Sequence, residues 1–427
     1  MGYGIIYKTS KIYEMMKMKK TLLFVATLFI IGCQSETKDP ITEYQKSLIG
    51  DEVTGSNIFK LVKDGEVIYE HIENSGKLGD KDISDETIFP IWSMSKPVTT
   101  VAMMILYDQG LFELTDNLSD YLPEYKNMMC KNSDGVEPCE NQIQIIDLLT
   151  HRSGLGYYSD VYGEYVFMSE PSPLHKYMNT YVYNDLNEFS LAVAKQPLEF
   201  EPGEYYLYGL NQDILGRVIE VITGKTFYEF LVENLFEPLE MNNTKFYLTL
   251  DDRKKFQPLF INKIANTAAN PSTNSLKGFT NELDQLSYSE DNKNYLGSGG
   301  LVSTFSDYSN FCQMLVNEGE YNGNRILSEK SFQLMLEKHT EAFPNDNEPY
   351  LFPDLPGNYI AFNFSVLENP ELDGTGAPVG VYGWSGYHNT HFWIDPENKM
   401  YGLFMSRSRE FNFGIPTALK KVTYSKK

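Results

Sequence analysis

The chain has 427 residues, 42% of them hydrophobic, and a formal net charge of −22. That apolar fraction is enough for a sizeable core in one large domain or two ordinary ones, which excludes global disorder. The acidity excludes a nucleic-acid partner, whose binding draws on Lys and Arg to neutralise phosphates, and fits a solvated surface.

The N-terminal residues read as a targeting segment. Met18-Lys19-Lys20 is followed by an apolar run from Leu22 to Ile31, then Gly32-Cys33 and a polar stretch. A basic head, about ten apolar residues and a small residue before the cut form a signal-peptide pattern. The run is too short for a permanent transmembrane helix. Ile30-Ile31-Gly32-Cys33 resembles a bacterial lipobox, which implies removal of residues 1–32 and lipidation of Cys33. Residues 33–50 read as a tether and 51–427 as the catalytic domain. In an exported chain Cys130 and Cys139, which bracket a polar turn-rich segment, are candidates for a disulfide. Cys312, in an apolar-periodic helix, reads as a buried small hydrophobe.

Two β-prone runs, Ile58–Lys63 and Glu66–His71, flank Asp64-Gly65 and predict a hairpin. A helix is expected from about Ser93, with Pro97 in its first turn, an apolar face at Val98, Val101, Ala102, Ile105 and Leu106, and Gly110 at its end. Further helical patterns cover Ile145–Leu149, Asp213–Thr223, Phe227–Leu235 and Ser306–Asn317. Val379–Gly383, His391–Ile394 and Met400–Met405 read as strands, with a turn at 395–398. Strands at both ends around a helical middle predict an α/β (α+β) fold. Its antiparallel sheet is built from both chain ends, with flanking helices and a mostly helical insert over about 107–295.

Ser93-Met94-Ser95-Lys96 is an S-x-x-K tetrad. Residues three apart share a helix face, so the Lys96 amine can reach the Ser93 hydroxyl, and a serine needs such activation to attack a carbonyl. A helix N-terminus adds a positive field for a developing oxyanion. The tetrad alone also fits a helix cap, and Ser35–Lys38 is a second match in the tether. Position separates them, because Ser93 opens a strongly apolar helix.

The surroundings extend the match. Phe89–Thr100, Leu148–Leu155, Pro197-Leu198 to Pro202-Gly203, Tyr208, Asp213–Gly216, Phe236–Met241, Gly299-Gly300-Leu301 and Gly383-Trp384-Ser385-Gly386 occur in the order of the serine β-lactamase and penicillin-binding-protein superfamily. The sequence resembles that superfamily from about residue 55 to 415, and its esterase-like, tyrosine-using branch in particular. Glu240 stands where glycine is usual, and Leu210 where many members carry Asn, so Asn211 receives no role.

The resemblance implies a covalent acyl-Ser93 intermediate, with Lys96 and Tyr208 moving the proton. A nearby Lys ammonium is expected to ease loss of the Tyr208 proton, so that Tyr208 serves as a second base on Ser93 and as acid to the leaving group. It also implies an oxyanion hole made by the amides of Ser93 and Tyr387, and substrate contacts at Trp384, Ser385 and Gly386. Trp384 occupies the place of the lysine that holds a substrate carboxylate in β-lactamases and D-Ala-D-Ala peptidases, so esters or small amides are favoured over those substrates. Arg407 and Arg409 are candidates to replace that cation. A catalytically silent binding protein on the same fold is the remaining alternative. His388 and His391 are expected to point to opposite strand faces rather than share an ion, and His151 to be structural. No G-x-S-x-G elbow is present, which removes the α/β-hydrolase reading. No cofactor or metal is expected. The partners expected are a small-molecule or peptide-like acyl substrate and the bacterial cell envelope, held through the lipid on Cys33 at its periplasmic side or outer membrane.

Overall fold

The computed structural model describes residues 39–158, 183–261, 278–280, 288–340, 355–409 and 411–425. The signal segment and Cys33 lie outside them. Tyr44–Lys427 forms one compact unit, and residues 1–43 form another. The expected tether is corrected at its C-terminal half, where Pro40–Gly50 is a helix, α1.

The frame of the larger unit is a seven-stranded antiparallel sheet. Its strands are β1 (Asn57–Lys63), β2 (Glu66–Glu73), β3 (Asn358–Ile360), β4 (Ser365–Leu367), β5 (Tyr382–Gly386), β6 (Thr390–Asp395) and β7 (Met400–Met405), in the spatial order β3-β4-β5-β6-β7-β1-β2. The N-terminal hairpin thus joins the C-terminal strands along β7, with Ile58 opposite Met405. Asp64 and Gly65 both adopt positive φ, as a two-residue turn between right-twisted strands requires. Every residue of β6 and β7 is buried. Such strands are covered on both faces and read as near-continuous apolar runs. The edge strand β2 has no buried residue and carries Glu66, Glu70 and Glu73, charges that discourage pairing with another chain.

Helices cover the sheet. Helix α2 (Ser95–Asp108) is buried along its whole circumference from Ser95 to Leu106, so the single apolar face expected of it understates its burial. It packs on α3 (Asn211–Thr223). Helix α4 (Phe305–Val316) lies on the Phe392 face of the sheet. There the Tyr308 and Phe392 rings are 5.5 Å apart and the Tyr308 hydroxyl donates to the Met94 carbonyl at 2.9 Å. The C-terminal helix α5 (Gly414–Tyr424) meets the opposite face, where Tyr424 donates to Asp395 at 2.8 Å. Neighbouring residues of a strand point to opposite faces, which places α4 and α5 on either side of β6.

Two expectations shift in detail. The helix predicted over Phe227–Leu235 is α-helical only to Leu231 and becomes a π turn at Val232–Phe236. The strand predicted at Val379–Gly383 lies three residues later, at Tyr382–Gly386. The region between α2 and the return to the sheet also holds a small hairpin, Met129–Asn132 with Gly135–Pro138. A disulfide between Cys130 and Cys139 closes it. The Lys131 amide donates to the Leu198 carbonyl at 2.9 Å and the Leu198 amide to Met129 at 2.7 Å, so the hairpin clasps the segment that leads to Tyr208. Cys312 is free and buried in α4.

A ten-residue loop closed by a disulfide loses chain entropy equivalent to about 2–3 kcal/mol in the unfolded state. The double variant Cys130→Ser/Cys139→Ser is expected to lose stability of that order, read as a lower urea midpoint at unchanged slope. An unchanged midpoint refutes the expectation.

Candidate active site

Ser93 sits in a 3₁₀ turn, Trp92–Met94, that runs into α2. Trp92 has φ +46°, a region that bulky residues rarely enter. Its surroundings hold it there. The indole N–H donates to His388 Nδ1 at 3.0 Å, and the ring packs edge-on against Tyr387 and His388. No side chain caps either start of this helix, so the Ser93 hydroxyl is not consumed as a cap. It lines a cavity of about 860 Å³, and Lys96 Nζ lies 3.2 Å from its Oγ.

Lys96 is 1% exposed. Its Nζ donates to the Ser298 carbonyl at 2.7 Å, lies 3.4 Å from the Tyr157 hydroxyl, and stands 4.4 Å above the Tyr208 ring. Burial pushes its pKa down to about 7, and the charge of Asp213 partly opposes the shift. Burial raises Asp213 in turn. Ser298 bridges the two groups, since its N–H donates to Asp213 Oδ1 at 2.8 Å while its carbonyl holds Lys96. The arrangement provides an amine able to take a proton from Ser93 near neutral pH.

The expectation for Tyr208 is corrected. Burial raises the phenol well above its ordinary range, against the hydrogen bonds it makes with Ser93 and Trp384. The Lys96 ammonium faces the ring rather than the hydroxyl, and cannot offset that desolvation. Burial thus favours the protonated phenol at Tyr208 and the neutral amine at Lys96.

Trp384 is nearly buried. Its ring lies 6.1 Å from that of Tyr208, and its indole N–H, a donor only, bonds the Tyr208 hydroxyl. Ser385 lines the cavity and lies 2.8 Å from His391 Nδ1. Burial drives His391 down to about 3, so its ring is neutral. At Gly386 a Cβ would fall 2.2 Å from the Ile91 carbonyl. Only glycine lets β5 press against the turn that presents Ser93, and Tyr387, the next residue, lines the same cavity. His388 and His391 serve different partners, Trp92 and Ser385. Arg407 and Arg409 are buried and do not line the cavity. Arg407 donates to the Gln257 carbonyl and lies over the Phe256 ring.

His151 anchors a buried network. Its Nδ1 accepts from the Asn211 amide at 2.8 Å, which leaves Nε2–H to donate to Asn363 Oδ1 at 2.7 Å. Asn363 reaches Thr100 on α2, and Asn211 accepts from Ser153. The His151 ring lies 4.9 Å from Tyr208, so the network braces that side chain. Asn211 thus acts in structure, one position beyond Leu210. Sequence reasoning missed Tyr157, Asp213, Ser298 and Asn363 as neighbours of the centre. Asp213 and Tyr157 lie in or beside matched segments, but nothing local marks their approach to Lys96.

A cavity-lining serine activated by a lysine one helical turn away, with a phenol beside it and a glycine-docked strand opposite, defines an acyl-transfer type of centre. The family model for Beta-lactamase matches residues 57–419, and the chain belongs to that family. Protein Rv1367c of Mycobacterium tuberculosis (strain H37Rv) is 27% identical over 366 residues, covering 81% of this chain and 82% of that protein. Esterase EstB of Burkholderia gladioli is 29% identical over 192 residues, 44% of this chain and 45% of the esterase. Among solved structures, EstCE1, described as a hydrolase with promiscuous acyltransferase activity, superposes with a TM-score of 0.70 at 22% identity, covering 90% of this chain and 97% of that one.

The acid–base assignment has a pH signature. With Lys96 as base, kcat/KM for an ester is expected to rise through about pH 7 and then level off, since the protonated amine cannot accept the Ser93 proton. Asp213→Asn removes the charge that favours the ammonium, so the ascending limb should move to lower pH. A limb that stays in place or moves upward in that variant contradicts the assignment.

Proposed function

We propose that this protein is a serine hydrolase acting on ester or small amide substrates through an acyl-Ser93 intermediate. The observation that carries the ester preference is Trp384, whose indole N–H is committed to Tyr208 where a carboxylate-binding lysine would otherwise stand. In the proposed cycle neutral Lys96 takes the Ser93 proton as Oγ attacks the carbonyl carbon. The amides of Ser93 and Tyr387 hold the oxyanion. Tyr208 protonates the leaving oxygen or nitrogen and regains its proton from Lys96. Water, deprotonated by the same pair, then releases the acyl group and regenerates Ser93. No step calls for a cofactor or metal. Family membership and the esterase EstB support this reading.

The second reading is a β-lactamase or D-Ala-D-Ala carboxypeptidase on the same machinery. Those substrates carry a carboxylate close to the reacting carbonyl, and an unmatched half-buried carboxylate costs several kcal/mol. An inactive binding protein is disfavoured by the completeness of the Ser93, Lys96 and Tyr208 cluster.

We also propose export with a lipid anchor at Cys33, which holds the chain to the cell envelope. The basic, apolar and small-residue order before Cys33 supports it. So does the Cys130–Cys139 bond, a pairing that persists in oxidising compartments.

Ser93→Ala is expected to abolish ester hydrolysis and fluorophosphonate labelling with the fold intact. A short-chain p-nitrophenyl ester should exceed a chromogenic cephalosporin in kcat/KM. A cephalosporin value tenfold above the ester's means ~1.4 kcal/mol of extra transition-state stabilisation and selects the second reading. For the anchor, Cys33→Ser should turn a detergent-requiring protein into one released without detergent. Wild-type protein that extracts from its native cells without detergent rules the anchor out.

A further inference from the structure

The cavity that contains Ser93 extends well past it, along the N-terminal half of α5. Phe413, Pro416, Thr417 and Lys420 all line it. Their spacing of three and four places them in one stripe on the helix. The start of α5 lies at the catalytic end. The Asn412 amide donates to Asn389 Oδ1 at 2.8 Å, and the Asn389 amide donates to the Gly386 carbonyl at 3.0 Å, within the β5–β6 turn that carries Tyr387. Lys420 is six residues beyond Gly414, about 9 Å farther along the axis at 1.5 Å per residue. The walls between are largely aromatic and aliphatic, and Lys420 faces Asp373 at the far end.

The two charges of that pair are unequally satisfied. Asp373 accepts from both the amide and the hydroxyl of Thr375, and its side chain is 7% exposed against 17% for Lys420. The ammonium has one counter-ion, Asp373 Oδ1, which it meets at a long 3.7 Å. Among the described residues Asp373 is the one partner recorded for its three N–H donors. A mostly buried ammonium with three donors and a single long ion pair still has donors to offer. It is the member of the pair that a ligand can complete, and an anion completes it.

Building on the ester-hydrolase reading, we propose that Lys420 is a specificity residue for substrates whose acyl or alcohol chain ends in a carboxylate remote from the scissile bond. The apolar stretch of the cavity takes the methylene chain, and the ammonium takes the terminal anion with a charge-assisted hydrogen bond. This differs from penicillin-type recognition, where the carboxylate sits beside the reacting carbonyl. At that position Trp384 offers no charge, while farther along the cavity Lys420 does. The preferred substrates are therefore long-chain half-esters of dicarboxylic acids and esters of similar outline.

The test is equilibrium binding to full-length Ser93→Ala, which cannot form the acyl-enzyme. The probes are monoethyl suberate, the neutral diethyl suberate, monoethyl succinate and ethyl 8-aminooctanoate. Monoethyl suberate should bind about tenfold or more tightly than each of the others. Adding Lys420→Met should erase that preference, and Lys420→Arg should keep it. Asp373→Asn, which removes the competing anion, should strengthen monoethyl suberate binding. Absence of monoethyl suberate binding, equal affinity for the diester, tightest binding of the ammonium ester or of the short succinate, or a preference that survives Lys420→Met overturns the proposal. The readout is independent of turnover. Wild-type protein that hydrolyses none of these esters, while Ser93→Ala keeps the suberate preference, removes the hydrolase reading and leaves the anion subsite standing.

Discussion

The proposed chemistry depends on an amine placed where water cannot reach it. Lys96 is held on a helix buried on all sides, and Asp213, whose charge favours its ammonium, is also desolvated. An ammonium in water holds its proton too firmly to serve as a base at neutral pH, whereas desolvation weakens that hold. The surrounding structure maintains that burial. The Gly297–Leu301 loop closes over the amine through Ser298. It can do so because Gly297 lies against the Gln212 carbonyl, where any Cβ would approach to 2.4 Å.

The same desolvation acts oppositely on Tyr208. Burial makes the lysine release its proton more readily and the phenol less readily. In the cycle proposed above, the two groups, 4.4 Å apart, act as acceptor and donor. Ser93 lies between them, hydrogen-bonded to both. The His151–Asn211–Asn363 network then keeps Tyr208 from turning away, without any charge of its own, since burial holds His151 neutral at about 3.

Much of this was legible in the sequence where the signal is local. The Asp64-Gly65 hairpin, the strand at Met400–Met405 and the Ser93–Lys96 tetrad each follow from spacing within a few residues. Gly383–Gly386 was legible as a landmark, although the strand holding it begins later than its apolar run suggests, because Trp384 and Gly386 belong to it. Tyr157, Asp213, Ser298 and Lys420 were not legible in their roles, since each reaches the cleft only after elements far apart in the chain have packed. The helix at Pro40–Gly50 was hidden by a polar composition that reads equally well as a linker. At Glu240 the departure from glycine proves tolerable, since that residue adopts φ +58° in spite of its side chain.

The docking of the β5–β6 turn against Ile91 has a consequence for how the molecule comes into being. Thr390 reaches the Ile91 carbonyl across 299 residues of chain, and Gly386 touches the same atom. All of the cavity's lining except Ser93 and Tyr208 comes from residue 355 onward, sequence that is synthesised long after the tetrad. A nascent chain, or one clipped before β5, carries the tetrad without the wall that completes the cavity. The contact it still has to make is strongly non-local, the kind that slows folding.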